Sequence, residues 1–121
     1  MDSRSVALNR RLLEALPSLR GGHAELIDPS DGREPGSHIV YGDLLAPLLR
    51  DELLRDGPSE SLSAAFSLLE EILTSENEYA QEVVIVSVLN GIDSPELVRR
   101  ARNVCGPLVS AALGDWEQWR K

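Results

Sequence analysis

His23, Asp28, Asp31, Glu34 and His38 fall between residues 23 and 38, and they are the residue types that hold zinc or another divalent cation. Their spacing matches neither two ligands on one helix face nor two ligands in one tight turn. The DPSDG run that starts at Asp28 also lacks the alternating carboxylates of a calcium loop. A solvated acidic loop is therefore expected, with no metal and no cofactor. Cys105 is the single cysteine, so no intramolecular disulfide is possible. It lies on an apolar stripe between Val104 and Leu108, where a buried, inert thiol is expected rather than a nucleophile with a base beside it. The adjacent acids Asp51-Glu52 and Glu70-Glu71 diverge by about 100° on a helix and read as the solvated side of Leu-rich faces. Gly21-Gly22 precedes His-Ala-Glu instead of the Lys and Ser/Thr of a phosphate loop. No catalytic residue is assigned, and the chain is not expected to be an enzyme.

What the chain does carry is charge. Twenty Asp/Glu against twelve Lys/Arg give a net charge of −8 over 121 residues. Such a balance disfavours nucleic acid and anionic membrane surfaces and favours a basic protein partner. The excess is local: residues 21–93 hold fifteen acidic and three basic side chains, a net of −12, while each end is +2. Arg99, Arg100 and Arg102 are too few for a nucleic-acid footprint and are expected to pair with acids of a neighbouring helix or subunit. The N-terminal segment has no continuous apolar stretch of the kind that forms a secretory signal, and no run approaches a membrane span, so the chain reads as cytoplasmic. Arginine outnumbers lysine eleven to one, a bias of GC-rich bacterial genomes.

The elements that would position these groups are helical. Leu8, Leu12 and Leu16 recur at i, i+4 and i+8, which predicts a first helix ending near Leu16 before Pro17. Residues 20–38, with Gly and Pro dispersed among acids, read as one long loop, and the runs Ala24–Ile27 and Ile39–Tyr41 that flank its middle are able to pair as a small hairpin. A second helix is expected over roughly 43–55, starting nearer Ala46 or kinked at Pro47. A third runs to about Ser75 on Leu62, Ala65, Phe66, Leu69, Ile72 and Leu73. Ser75 and Glu78 have capping-box spacing for the next element. Val83–Val88 suits either a buried strand or a helix, and its length and the Ala80/Val83/Val84/Ser87 spacing favour the helix. Ser94-Pro95 starts the last stripe, Leu97 to Trp116, which keeps one phase through Gly106-Pro107 as a kinked or nearly coaxial pair. The expectation is an all-α, compact single-domain bundle of five or six helices over residues 1–121, with HEAT-like antiparallel hairpins and one long loop at about 20–38.

The run LEEILTSENEYAQEVVIVSVLNGI, residues 69–92, resembles a helical-repeat hairpin of the HEAT type: an amphipathic helix, a short polar turn and a very apolar helix. Together with RNVCGPLVSAAL, residues 102–113, it is similar to a family of small uncharacterised bacterial helical proteins that look like immunity proteins of polymorphic toxin systems. The resemblance spans about residues 39–116 and implies a role without catalytic residues.

Three functions follow in order of support. The first is an immunity or antitoxin-like protein that blocks a basic toxin or effector through Glu25, Asp28, Asp31, Glu34, Asp51, Glu52 and Asp56. The second is a helical adaptor or assembly protein with no toxin partner, docking through an apolar groove and Trp119 as an anchor. The third is an enzyme of unfamiliar type built on His23 and His38.

Overall fold

The computed structural model describes residues 3–27, 32–55 and 59–120, with side chains described for 4–27, 32–55 and 59–114. Among these residues there are seven helices and no strand. Helix α1 is Ser3–Ala15, and a single 3-10 turn at Pro17–Leu19 leads into α2, Arg20–Leu26. Helix α3 covers residues 37–54 and α4 is Glu60–Thr74. Helix α5 covers residues 78–91, α6 is Pro95–Arg102 and α7 is Pro107–Arg120. None is long and apolar enough to cross a membrane.

The periodic leucines converge on one core. Leu12 of α1, Leu45 and Leu49 of α3, Leu69 and Ile72 of α4, Val83 and Val88 of α5, and Val109 and Leu113 of α7 are fully buried together. Phe66 and Tyr41 are the largest buried side chains at 2% and 0% exposure. The Tyr41 hydroxyl donates to the Leu8 carbonyl at 2.7 Å, tying α3 to α1. Burial pushes the phenol well above its usual pKa, with Arg11 opposing only in part. Tyr41→Phe is expected to cost about 1–2 kcal/mol, since a buried donor–acceptor pair is lost without a cavity forming. Urea unfolding followed by circular dichroism checks this.

Two expectations are corrected in the 20–38 stretch. Residues 20–26 are helical rather than loop, and Ile39–Tyr41 lies inside α3, so no hairpin forms. Residues 28–31 lie outside the described residues. Of the glycines that suggested a loop, Gly22 lies close against a neighbouring helix, while Gly21, Gly32 and Gly36 have open space around them. A Cβ at Gly22 would sit 2.7 Å from the Leu44 Cδ2, so a larger residue there makes the Leu44 side chain shift. Proline 47 is also absorbed within a helix. A wider π-turn, Tyr41–Leu45, precedes it and is closed by the Ala46 N–H on the Tyr41 carbonyl. That extra width relieves the clash a proline ring makes with the preceding turn. Val83–Val88 is helical, as its spacing favoured, and it too forms a π-turn.

Caps mark the helix ends. Ser59 and Ser94 accept from the N–H groups of Leu62 and Leu97. The box expected from Ser75 and Glu78 is not the one used. Asn77 caps α5 through Ala80 N–H at 3.1 Å, and Ser75 instead ends α4, donating to the Ile72 carbonyl. The other ends are capped across the bundle. Arg50 donates to the Gly91 carbonyl at the end of α5, and Arg100 to the Leu53 carbonyl at the end of α3. Glu70 of α4 accepts from the N–H groups of Leu108 and Val109 at 2.8 and 3.1 Å, so α7 is capped by a side chain from another helix. This break at 103–106 separates α6 from α7 as two helices.

Candidate functional site

Polar side chains inside the bundle collect where α1, α2, α3 and α5 meet. Asn9 projects inward from α1 with no exposure. Its amide donates at 2.9 Å both to Glu34 and to the Pro35 carbonyl, and its carbonyl accepts from the Ser37 hydroxyl. Ser37 is bound a second time by Ser5, whose hydroxyl accepts from the Ser37 N–H and lies 2.8 Å from the Tyr79 hydroxyl. The Arg4 guanidinium stacks on the Tyr79 ring at 4.4 Å. His23, in the last turn of α2, places Nε2 2.7 Å from Glu34 Oε1. The consequence is structural: residues 34–37, which lack regular structure until α3 begins, are fixed to α1 and α2 by side chains.

The two histidines are not brought together. His23 meets Glu34, whereas His38 places Nδ1 2.6 Å from the Ser87 hydroxyl and packs edge-on against Tyr79. A His–Ser contact is the first part of a hydrolytic triad, but no carboxylate contacts His38 among the described residues. Beside His23 lies a shallow cavity of about 300 Å³, bordered by Arg10, Arg20, Glu14 and Glu34. No group of three or more His, Cys, Asp or Glu able to hold a metal occurs among the described residues. The Cys105 thiol is half-buried, and its pKa is raised by that burial, the direction of an unreactive thiol.

The acids expected to face a partner divide in two. Glu25 on α2 and Asp51 on α3 are exposed and unpaired among the described residues. Glu34 is turned inward as above, and Glu52 accepts from Ser59 and pairs with Arg55. Asp28, Asp31 and Asp56, with the side chain of Trp119, lie outside the described residues. The sequence reading passed over Asp43 on α3 and Glu78 and Glu82 on α5, which are exposed and without an ion pair. Their signal was available, because each falls opposite its helix's apolar stripe.

Several other charges are paired. Glu71 meets Arg11 at 3.4 Å, and Arg50 approaches Asp93. Arg99 and Arg100 both bind Glu96 on their own helix, and Arg100 also reaches the Leu53 carbonyl of α3. Their hydrogen bonds hold the Glu96 carboxyl down to about 2. A carboxyl-carbon NMR titration is expected to show Glu96 ionised well after the other glutamates have protonated. The sign follows from linkage: a depressed folded pKa gives stability present above the ordinary carboxylate range and lost as pH falls toward 2.

No curated protein and no solved structure gives a match to the chain. The architecture nevertheless has a home: residues 9–116, from the buried Asn9 to the end of the apolar stripe, match the model of a family described as a domain of unknown function (DUF7674), and the chain belongs to that family.

Proposed function

We propose that this protein is a non-enzymatic protein-binding module, an immunity or antitoxin-like protein that neutralises a basic effector by covering it. The observation that carries this reading is the set of exposed carboxylates in residues 21–93 with no ion pair among the described residues: Glu25, Asp43, Asp51, Glu60, Glu76, Glu78 and Glu82. They belong to the segment whose net charge is −12. Only Glu60 and Glu78, in the first turns of α4 and α5, also suit a helix N-terminus. Opposed cations on a partner are drawn to such a surface and held in register by it. Steric cover then suffices for inhibition, so the reading calls for no catalytic group in this chain.

Growth of cells expressing a basic effector encoded beside this protein tests the reading. Wild type is expected to restore growth, and Glu25→Lys with Asp51→Lys to slow association about tenfold at low salt. Equal protection and equal association rates for both proteins would remove the acidic surface from the interface. A helical adaptor without a toxin partner is the second reading, favoured by the exposed Val104 and Leu108 where α6 meets α7. Apolar docking of that kind is insensitive to salt, whereas binding through exposed acids weakens as salt rises.

A further inference from the structure

We propose that the seam between α3 and α5 seats an amphipathic, lysine- or arginine-bearing helix of a protein partner. Its apolar residues rest on Ile39 and Val86, and its cations face Asp43, Glu78 and Glu82. This inference rests on the basic-partner reading and gives that partner a place.

The two helices lie side by side and run in the same direction, since Gly42 faces Ser87 and Gly91 faces Ala46. A Cβ at Gly42 would meet the Ser87 carbonyl at 3.6 Å, so the backbones are close, and His38 bonds Ser87 across the seam. Ile39 follows His38 and Val86 precedes Ser87, so these two side chains flank the crossing. They are 51% exposed each. Scattered exposed apolar side chains are ordinary, but a pair flanking the same seam from two helices is not accounted for by folding. Both helices also widen into π-turns here, Tyr41–Leu45 and Val83–Val88. Proline 47 explains the first, while nothing in the sequence of α5 forces the second, and such turns concentrate at functional positions.

Charge selects the occupant. Asp43 stands one turn beyond Ile39, and Glu82 one turn before Val86, with Glu78 a further turn back. None of the three has an ion pair among the described residues. Residues 37–49 and 78–92 contain no Lys or Arg. The nearby cations are Arg4, stacked on Tyr79, and Arg50, bound to the Gly91 carbonyl, so acid outnumbers base along the seam. An amphipathic helix with apolar anchors at i, i+3, i+4 and i+7 and cations at its margins complements that surface. The other exposed apolar pair, Val104 and Leu108, lacks this rim because the nearby Glu70 carboxylate is spent on the α7 cap.

The probe is a labelled synthetic Leu/Lys peptide of about 15 residues, long enough to form a helix, titrated against the full chain by fluorescence anisotropy. A Ser/Lys peptide of the same charge and length runs beside it. Wild type is expected to bind the Leu/Lys peptide at least about tenfold more tightly than the Ser/Lys peptide. Ile39→Ser with Val86→Ser is expected to remove that preference, a loss of about tenfold. Asp43→Asn with Glu82→Gln weakens both peptides and flattens the salt dependence. Val104→Ser with Leu108→Ser leaves both affinities unchanged. All four apolar positions are substantially exposed, so the folds survive, as thermal unfolding verifies. Equal binding of both peptides by wild type, or a preference retained in the Ile39/Val86 variant, overturns the seam while leaving the basic-partner reading standing. Binding of neither peptide defeats both. Dimerisation of wild type that disappears in the Ile39/Val86 variant overturns the proposal in favour of a second copy as the occupant.

Discussion

Replacing Asn9 with leucine is expected to lower the free energy of unfolding by about 3 kcal/mol, although leucine has a similar volume and the site is buried. The side chain makes three hydrogen bonds with no exposure to solvent, to Glu34, the Pro35 carbonyl and Ser37. Leucine satisfies none of them. The Pro35 carbonyl loses its amide donor, Glu34 keeps only His23, and Ser37 keeps only its contacts with Ser5. Leaving a buried polar group unpaired costs about 1–3 kcal/mol, and two groups are affected at once. Asn9→Asp separates shape from chemistry, because it preserves the outline while placing a second carboxylate against Glu34. Its loss of stability is expected to be largest near neutral pH and to ease in acid, where the two share a proton. Urea unfolding of the three proteins across that range decides the matter. A change below about 0.5 kcal/mol for Asn9→Leu would mean that the network positions nothing.

That network marks the boundary of what could be read from residues alone. The helices with leucines at i, i+3 and i+4 were legible because one periodicity sufficed to place Leu12, Leu69 and Ile72 in the core. Ser94-Pro95 was legible for a similar reason: a cap is a local contact between a side chain and an N–H three residues on. Errors arose where a residue's meaning depends on its neighbours in space. Gly21 and Gly22 have poor helix propensity and predicted a loop, but Gly22 is small because Leu44 lies against it. Ser75 had the spacing of a cap and lost that role to Asn77, two residues later. Glu34 and Glu52 looked like solvated acids, yet one serves Asn9 and His23 and the other Ser59. Composition located the acidic segment correctly along the chain. It could not say which carboxylates the fold would consume, because that depends on long-range partners such as Asn9, 25 residues from Glu34.

Gly106 and Glu70 are expected to behave as one unit, and the coupling between them is the most direct test of how α7 is held. Gly106 is the N-cap of α7, with its carbonyl accepting from Ser110, yet it has no side chain with which to cap. Glu70 supplies the missing acceptor from α4, and its negative charge suits the positive end of the helix. For the carboxylate to reach, position 106 must have no Cβ: an added one would lie 2.5 Å from Glu70 Cδ and 2.6 Å from Oε2. Gly106→Ala therefore either expels the carboxylate or displaces α7, whose Val109 and Leu113 are fully buried. A loss of about 2 kcal/mol is expected for Gly106→Ala, and a similar loss for Glu70→Ala, the cost of a removed cap. Together they should cost less than their sum by about 1 kcal/mol, because once Glu70 is shortened the methyl group has room. Glu70→Gln keeps an acceptor but not the charge, and is expected to fall between wild type and Glu70→Ala. Strict additivity in the double-mutant cycle would show that the glycine is there for some reason other than the carboxylate. Hydrogen exchange at Leu108 and Val109 gives the local readout, since only the loss of the cap exposes those two amides while the rest of the bundle stays protected.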